Sequence, residues 1–206
     1  MSSVSGERPI FWIFAGPNGS GKSTLYKDAN ITLHDGSIWI INPDVLAARI
    51  NKIERLSYAE ANIEAVVRIE SWLEASIKAH QTVGVETVLS TPKYRRLVLE
   101  AKKRDFEVRL AYVLLENVEM NIARVALRVK KGGHNVPEQK IRERYTRSLA
   151  QLPWFLSQAD RATLFDNSGE LPERIGEKSG GTITLNPSHL PVIAKVIEQL
   201  KSERFE

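Results

Sequence analysis

A glycine-rich octapeptide constrains the fold and the chemistry of this chain more than any other feature. Residues Gly16 to Ser23 read G-P-N-G-S-G-K-S, which matches the phosphate-binding pattern G-x-x-x-x-G-K-[ST] in full. An apolar run from Ile10 to Ala15 precedes the octapeptide, and residues Thr24 to Lys27 can open a helix after it. A strand, a glycine loop and a helix in this order are the context that the motif requires. The alternative, a glycine turn that binds nothing, does not explain why both flanks fit as well as the consensus.

Each part of the octapeptide has a predicted role in binding a nucleotide. Its glycines let the backbone turn tightly and point N–H groups at phosphate oxygens. Lys22 supplies a positive charge for the β- and γ-phosphates, and Ser23 supplies a hydroxyl ligand for Mg²⁺. The predicted cofactors are therefore ATP and Mg²⁺. The predicted nucleotide-binding residues are Gly16, Pro17, Asn18, Gly19, Ser20, Gly21, Lys22, Ser23 and Thr24.

The composition fits a soluble globular protein. The chain has 206 residues, of which 42% are hydrophobic and 26% are charged, and both values are ordinary for such proteins. The absence of cysteine excludes disulfides, thiolate metal sites and a thiol nucleophile, and it favours a reducing compartment. No apolar stretch approaches the roughly 20 residues that span a bilayer, and residues 1–8 lack an apolar signal core. We expect a cytoplasmic protein that does not associate with membranes.

Apolar runs alternate with amphipathic stretches along the chain, a pattern typical of α/β proteins with a mostly parallel sheet. The predicted fold is a P-loop kinase-like three-layer sandwich, with residues 1–206 forming a single domain. Helices are predicted to begin after the octapeptide, near Ser57 with a capping box, and at Pro92, and a last helix covers residues 191–200. Strands are predicted at residues 10–15, 38–41, 82–89, 108–115, 162–165 and 182–185. The helix near Ser57 carries apolar residues at helical spacing, namely Ile63, Val66, Val67, Trp72, Leu73 and Ile77.

Basic residues concentrate in residues 118–152, between the fourth and fifth predicted strands. This segment is predicted to form two helices joined by a Gly-Gly turn at residues 131–137. On each helix the cations share a face that differs from the apolar stripe. Two basic faces joined by a glycine hinge predict a lid that closes over phosphates. The cations of the two faces are Arg124, Arg128, Lys140, Arg144 and Arg147.

Arg128 and Arg144 are the predicted lid cations that stabilise charge on a transferring phosphoryl group. His134, in the turn between the two helices, is a candidate substrate contact. The alternative is a solvated helix surface on which arginines such as Arg142 and Arg144 pair with nearby glutamates. The sequence leaves both interpretations open.

Three carboxylates are predicted at or near the carboxyl ends of strands, where open α/β sheets bind ligands. Asp44 follows the second strand in an Asn-Pro-Asp turn and is the predicted general base, with a helix N-cap or an Asx turn as the alternative. Glu86 interrupts an apolar strand, where a carboxylate is costly to bury unless a hydroxyl, an arginine or Mg²⁺ pairs with it. Glu116 is the weakest of the three because a solvated turn explains it adequately.

Five short motifs occur in one order along residues 10–170. They read G-P-N-G-S-G-K-S-T at 16–24, N-P-D at 42–44, E-T-V-L-S-T at 86–91, G-G-H-N-V-P at 132–137 and R-Y-T-R-S-L at 144–149. In this combination the chain resembles the zeta toxin family of P-loop kinases. The resemblance implies an ATP-dependent kinase that phosphorylates a hydroxyl of UDP-N-acetylglucosamine, with Asp44 as the base and with Glu86, beside Thr87, holding the sugar. Arg128 and Arg144 lie in the same region of the sequence as the lid arginines of the family, but they are not matched to them position by position.

One departure from the family pattern concerns the acceptor. The sequence Gly132-Gly133-His134 stands where a lid arginine is expected. This difference leaves the acceptor open, and toxicity and a paired antitoxin protein are open in the same way.

The sequence favours a small-molecule kinase over two other classes of function. Phosphoryl transfer needs positioning and charge neutralisation, which the loop, Asp44 and the lid can supply. A P-loop ATPase without an acceptor is the main alternative, although no L-S-G-G-Q-like signature is present and little chain remains for a further helical domain. Nucleic-acid binding is suggested by the net charge of +4 but disfavoured, because the cations concentrate near the phosphate site.

Overall fold

A computed structural model describes residues 8–28, 40–186 and 191–202 of the chain. Its strands are β1 Ile10–Ala15, β2 Ile40–Ile41, β3 Val83–Thr87, β4 Glu107–Leu114, β5 Arg161–Asp166, β6 Glu173–Ser179 and β7 Thr182–Leu185. Its helices are α1 Lys22–Asp28, α2 Pro43–Glu54, α3 Tyr58–Lys78, α4 Arg95–Lys103, α5 Val118–Lys130, α6 Glu138–Gln158 and α7 Pro191–Ser202. None of the helices in these ranges is long and apolar enough to cross a membrane.

All seven strands form one sheet in the order β2-β3-β1-β4-β5-β6-β7. The first five strands in this order are parallel, and β6 and β7 add an antiparallel hairpin at one edge. In the parallel register Ala15 lies beside Thr87 on one side and Tyr112 on the other. The carboxyl ends of β1, β3 and β4 therefore meet at one edge of the sheet, as predicted for this α/β class.

The main core lies between the sheet and helices α3, α4, α6 and α7. Phe11, Ile13 and Val85 of the central strands are fully buried there. Two smaller clusters pack α2 against α3 and α5 against α6. The two helices of residues 118–158 thus form a hairpin with its own apolar contacts, which we call the α5–α6 hairpin.

The capping box predicted at Ser57 is present. The Ser57 hydroxyl accepts a hydrogen bond from the Glu60 amide at 3.3 Å, and the Glu60 carboxylate accepts one from the Ser57 amide at 2.9 Å. Of the apolar residues at helical spacing on α3, Leu73 and Ile77 are buried, whereas Ile63 and Val67 are 68% and 53% exposed. Small residues such as Ala61 form part of the buried face instead, since α2 packs closely against this helix.

Several element boundaries differ from those predicted. Strand β3 ends at Thr87 because Leu89 adopts a left-handed φ of 58°. Helix α4 begins at Arg95, after a turn in which the Arg95 amide donates to the Pro92 carbonyl at 2.9 Å. Helix α6 passes through Pro153 and ends at Gln158, beyond the predicted end. Of the predicted second strand, residues 38 and 39 lie outside the described residues.

Strand β6 was not predicted. Its sequence, E-R-I-G-E-K-S, has no apolar alternation because Gly176 and Lys178 occupy two of its three buried positions. Gly180 and Gly181 connect it to β7 with φ values of 55° and 83°, and two left-handed residues are what a tight hairpin turn requires. Lys178 of β6 is buried, and its ammonium donates to the carbonyls of Leu156 and Ser157 at 2.7 and 2.9 Å.

Candidate active site

The glycine loop lies between β1 and α1 and adopts a backbone that side chains could not follow. Gly16 has a φ of 142°, and a Cβ atom added to it would lie 2.0 Å from the Val113 carbonyl oxygen. Gly21 has a φ of 94°, and its added Cβ would lie 2.1 Å from Nδ2 of Asn167. Both glycines are therefore required by the close approach of neighbouring strands and loops.

Two asparagines from distant segments hold the loop in place. Nδ2 of Asn121, in α5, donates to the Asn18 carbonyl at 2.7 Å, and Nδ2 of Asn167, after β5, donates to the Ser20 carbonyl at 2.8 Å. Arg124 donates to the Asn167 carbonyl at 2.7 Å. Neither asparagine is predicted from the sequence as a site residue. Nothing distinguishes Asn121 in the sequence, whereas Asn167 stands in a D-N-S-G turn at the end of a strand.

Lys22 folds back onto the loop that carries it. Its buried ammonium donates to the carbonyls of Gly16 at 2.8 Å and Pro17 at 3.0 Å. Burial lowers the pKa of Lys22 below its usual value, while the negative charges of Glu86 and Asp44 act in the opposite direction. The loop thus holds a desolvated cation next to two carboxylates.

Ser23, Glu86 and Asn42 form a hydrogen-bonded cluster at the carboxyl edge of the sheet. The Ser23 hydroxyl donates to Oε2 of Glu86 at 2.8 Å, and Nδ2 of Asn42 donates to the same oxygen at 2.8 Å. The Glu86 residue is only 9% exposed. The hydrogen bonds to its carboxylate offset the free-energy cost of burying this group. Asn42 was noted in the sequence only as part of a turn.

Asp44 lies in the first turn of α2, and the N-cap of this helix is Asn42. Oδ1 of Asn42 accepts hydrogen bonds from the amides of Asp44 at 2.9 Å and Val45 at 3.2 Å. The alternative that Asp44 itself caps the helix was therefore wrong. The Asp44 residue is exposed and faces the open space described next.

Two adjoining cavities bring together Ser23 and every predicted catalytic or substrate-binding residue except Lys22. The first, the Ser23 cavity, has a volume of about 510 Å³ and is lined by residues that include Ser23, Asp44, Glu86, Arg128 and His134. The second, the Tyr94 cavity, has a volume of about 570 Å³. It shares Asp44, Glu86 and His134 with the first. Its further lining residues include Thr87, Lys93, Tyr94, Lys140 and Arg144.

Thr87 and Glu116 have structural hydrogen bonds. Thr87 is buried at the end of β3, and its hydroxyl accepts a hydrogen bond from the Leu89 amide at 3.0 Å. The exposed Glu116 follows β4, and its amide donates to the Ser168 hydroxyl at 2.7 Å. Thr87 lines the Tyr94 cavity, whereas Glu116 lines neither cavity.

Arg128 and Arg144 point toward the glycine loop and its surroundings. Nη1 of Arg144 lies 3.4 Å from Oδ1 of Asn18 in the loop. Nη2 of Arg128 donates to the His134 carbonyl at 2.8 Å, and its positive charge contributes to lowering the Lys22 pKa. The exposed His134 ring stacks against Tyr58 with centroids 6.4 Å apart.

Two other arginines of the hairpin form ion pairs with glutamates on a solvated surface, which is the alternative interpretation of this segment. Arg142 pairs with Glu138 at 2.8 Å and with Glu119 at 2.7 Å, and Arg147 lies 3.7 Å from Glu143. These groups are all about half exposed. The basic face of α6 is therefore divided between solvated ion pairs and residues that line the Tyr94 cavity.

Comparison with known proteins assigns the family. A family model described as zeta toxin matches residues 1–171, most of the chain. The chain belongs to the zeta toxin family. This membership supports the class predicted from the motifs, a P-loop kinase-type phosphotransferase. An uncharacterised protein of Haemophilus influenzae is 35% identical over 133 residues, which cover 64% of this chain and 89% of that protein.

Solved structures show the same fold at low sequence identity. A chain of the AvrRxo1-ORF1:-ORF2 complex with ATP superposes with a TM-score of 0.71 at 17% identity, and the match covers 98% of this chain and 66% of that one. The present chain thus spans just under two thirds of that protein. A chain from the PezAT chromosomal toxin-antitoxin system of Streptococcus pneumoniae has a TM-score of 0.64 at 14% identity, with coverage of 96% and 86%.

Proposed function

We propose that this protein is an ATP-dependent kinase that transfers the γ-phosphoryl group to a hydroxyl of a small molecule. One observation carries the proposal. Ser23 of the glycine loop lines an open cavity, and Asp44 and Glu86 line the same cavity. A phosphate-binding loop beside an acceptor-sized space with a carboxylate is what phosphoryl transfer to a hydroxyl needs.

The residues of the loop fit a nucleotide. The two close-packed glycines keep side chains out of the loop, and the Lys22 ammonium donates to the loop carbonyls of Gly16 and Pro17. The Ser20 hydroxyl is fully buried and, among the described residues, has no hydrogen-bond partner. Bound ATP and Mg²⁺ would supply the phosphoryl group and neutralise part of its charge. Ser23 and Glu86 would hold the metal ion, directly or through water, because hard cations prefer oxygen ligands.

In this proposal Asp44 is the general base. Its carboxylate would accept the proton of the acceptor hydroxyl as the acceptor oxygen bonds to the γ-phosphorus, while the bond from this phosphorus to the β,γ-bridging oxygen breaks and ADP leaves. Asp44 is suited to this role because the side chain faces a cavity and the backbone is fixed by the Asn42 cap. Glu86, Thr87 and His134 would contact the acceptor from the neighbouring walls.

The α5–α6 hairpin would act as the lid over the transferring group. Arg144 already lies against Asn18 of the loop, and Arg128 lines the Ser23 cavity. Closing such a lid excludes water and places guanidinium donors on the phosphoryl oxygens. The ion pairs of Arg142 would remain on the outer surface.

A nucleotide sugar such as UDP-N-acetylglucosamine is the acceptor that the family membership favours. The Tyr94 cavity, at about 570 Å³, has the size of a small-molecule site. By analogy with the PezAT toxin-antitoxin system, an antitoxin protein is proposed as a partner.

One assay tests the kinase proposal. The protein is incubated with ATP and Mg²⁺, with and without nucleotide sugars, and ADP and phosphorylated acceptor are followed by mass spectrometry. We expect ADP formation that depends on the acceptor. ADP and free phosphate formed equally without an acceptor would instead identify an ATPase.

The Asp44→Asn variant tests the base in the same assay. It should lose at least about 100-fold in transfer rate, the usual contribution of general-base catalysis. ATP binding should be retained, whereas Lys22→Ala, the matched control in the loop, should lose ATP binding. Full transfer activity in Asp44→Asn would remove Asp44 from the mechanism.

A further inference from the structure

The hydroxyl of Ser148 joins three elements in the interior of the protein. Ser148 lies in α6, within the R-Y-T-R-S-L motif, and is fully buried. Its Oγ donates a hydrogen bond at 2.7 Å to the carbonyl of Val88, the residue that follows β3. Its Oγ also lies 2.8 Å from the hydroxyl oxygen of Tyr112 in β4. Helix α6 is therefore bonded at this point to β4 and to the chain that leaves β3.

The direction of these hydrogen bonds follows from the groups involved. A carbonyl oxygen can only accept, so the one proton of the Ser148 hydroxyl is donated to Val88. The Tyr112 hydroxyl must then be the donor to Ser148. Burial raises the pKa of Tyr112 above its usual value, so this hydroxyl keeps its proton at neutral pH. The three groups form one chain of hydrogen bonds, and Ser148 is its middle member.

Val88 belongs to one wall of the Tyr94 cavity. Glu86, Thr87 and Val88, which we call the β3 wall, all line this cavity. The chain turns sharply directly after them, because Leu89 has a φ of 58° and its amide donates to the Thr87 hydroxyl at 3.0 Å. Ser148 therefore holds the β3 wall at the residue where the chain leaves the sheet.

Arg144 lies on the same face of α6, one turn before Ser148. It also lines the Tyr94 cavity, and its Nη1 lies 3.4 Å from Oδ1 of Asn18 in the glycine loop. Four helical residues span about 6 Å along the helix axis. The hydrogen bond from Ser148 to Val88 is therefore one helical turn from the lid cation, and it joins the helix that carries Arg144 to the β3 wall.

We propose that Ser148 is a positioning residue for phosphoryl transfer. Its hydrogen bond to Val88 sets the distance between Arg144 on α6 and the β3 wall, where Glu86 and Thr87 contact the acceptor. This proposal rests on the kinase function and on the role of Arg144 in it. Ser148 itself touches neither the nucleotide nor the acceptor, because its hydroxyl is buried and both of its hydrogen bonds are made within the protein.

The effect of losing this hydrogen bond should fall on the transfer step. Donors stabilise a transferring phosphoryl group when they are held in place before the reaction. A displacement of about 1 Å can lower a rate on the order of 100-fold, so Ser148→Ala should lower kcat about 10- to 100-fold. The KM for the acceptor should change little. The affinity for an ATP analogue should be unchanged, because it depends on the glycine loop.

Tyr112→Phe is the matched control, because it separates positioning from stability. Ser148→Ala breaks both hydrogen bonds of the serine, whereas Tyr112→Phe breaks one and leaves the bond from Ser148 to Val88 intact. Both variants should have a lower melting temperature, since each leaves a buried polar group without a partner. Only Ser148→Ala should transfer more slowly in single-turnover kinetics with ATP, Mg²⁺ and a nucleotide sugar. Equal losses of rate in the two variants, or no loss in Ser148→Ala, would overturn the positioning role.

A double-mutant cycle tests whether Ser148 acts through Arg144. Arg144→Gln alone should lower kcat. Adding Ser148→Ala to this variant should lower kcat no further, because the cation to be positioned is already absent. If the two losses multiply instead, Ser148 does not act on Arg144 and the proposal fails.

The distance between α6 and the β3 wall can be measured without any reaction. The chain has no cysteine, so cysteines for spin labels can be introduced at Arg147 of α6 and at Thr91, which are both exposed. Ser148→Ala should shift or broaden the distribution of distances between the labels, and Tyr112→Phe should keep the wild-type distribution.

The two measurements distinguish a failure of this proposal from a failure of the kinase function. An unchanged distance distribution in Ser148→Ala would overturn the positioning role, even in a protein that transfers phosphoryl groups. A wild-type protein that forms no phosphorylated acceptor would instead reject the kinase function, and the positioning role would be rejected with it.

Discussion

The contacts of Lys22 in the unliganded loop must change when a nucleotide binds. Its ammonium is bound by two carbonyls of the same loop, so nucleotide binding must exchange these partners for phosphate oxygens. The negative charge of the phosphates would also raise the Lys22 pKa and so oppose the lowering caused by burial. The unliganded loop therefore holds a cation that is more stable in the nucleotide complex than alone.

The Lys22→Met variant should reveal this buried charge as a difference in pH dependence. Between the lowered pKa of the folded protein and the ordinary value of 10.5, the unfolded chain binds a proton that the folded chain lacks. Wild-type stability should therefore rise with pH relative to the variant in this alkaline window, by at most about 1.4 kcal/mol per pH unit. Urea unfolding of both proteins from pH 7 to 11 measures it.

Lys103→Met is the control for this measurement, because Lys103 is exposed and its charge is solvated. Its stability difference from the wild type should stay flat over the same range. A flat difference for Lys22→Met as well would show that the ammonium is not desolvated in solution.

Residue types and local spacing made part of the site predictable. Lys22 and Ser23 belong to a motif that specifies its own geometry, and Asp44 and Glu86 stand near the ends of predicted strands. Asn121 and Asn167 could not be found in this way, because their hydrogen bonds to the loop join residues 103 and 147 positions apart. Such bonds depend on how the whole chain folds.

At the scale of elements, the α5–α6 hairpin brings Arg128, Lys140 and Arg144 to the two cavities. Gly133 occupies its turn, and the Gly133 amide donates to the Arg128 carbonyl at 2.9 Å. A Cβ atom added to Gly133 would lie 2.6 Å from Cγ of Arg128 and 3.0 Å from its carbonyl oxygen. The small residue in the turn therefore lets the Arg128 side chain fold back toward His134.

The Gly133→Ala variant should displace Arg128 and slow phosphoryl transfer. A displacement of about 1 Å can lower a rate on the order of 100-fold, so we expect a loss of about 10- to 100-fold in kcat with little change in ATP affinity. Single-turnover kinetics with the wild type and the variant measure it. Gly169→Ala, where the nearest atom to the added Cβ is 3.8 Å away, should keep the wild-type rate. Equal rates in all three proteins would exclude Arg128 from the transfer step.

The elements with strong periodicity were predictable, and those defined by their neighbours were not. The two helices of the hairpin follow from their apolar stripes, of which Val125 and Ile141 are buried between them. Strand β6 exists because β5 offers it a pairing edge, and its own charged sequence carries no strand signal.

At the scale of the whole molecule, the core extends past the region that matches the family. The match ends at residue 171, but Ile175 of β6 and Ile193 of α7 are fully buried in the main cluster. Helix α7 packs on α6, which also forms half of the hairpin. Strand β6 and helix α7 therefore contribute to the same core as β1, the strand that precedes the glycine loop.

Ile193→Ala should destabilise the protein by about 2–5 kcal/mol, the usual cost of truncating a fully buried isoleucine. Leu171→Ala, at a position that is 81% exposed, should change the stability by no more than about 0.5 kcal/mol. Equilibrium urea unfolding of the two variants gives both values. Similar small changes in both would mean that α7 contributes little to the folded state.

Pro153 divides α6 into an N-terminal segment, residues 138–152, and a C-terminal segment, residues 154–158. Because proline has no N–H, the Leu149 carbonyl has no helical donor one turn later, so the two segments are joined more weakly than in an unbroken helix. We expect the N-terminal segment to tilt about Pro153 when nucleotide binds, while the C-terminal segment stays in place. Spin labels at Arg147 and Lys103 should report a nucleotide-dependent distance change that is smaller in Pro153→Ala. An equal change in the two proteins would show that the tilt does not occur at Pro153.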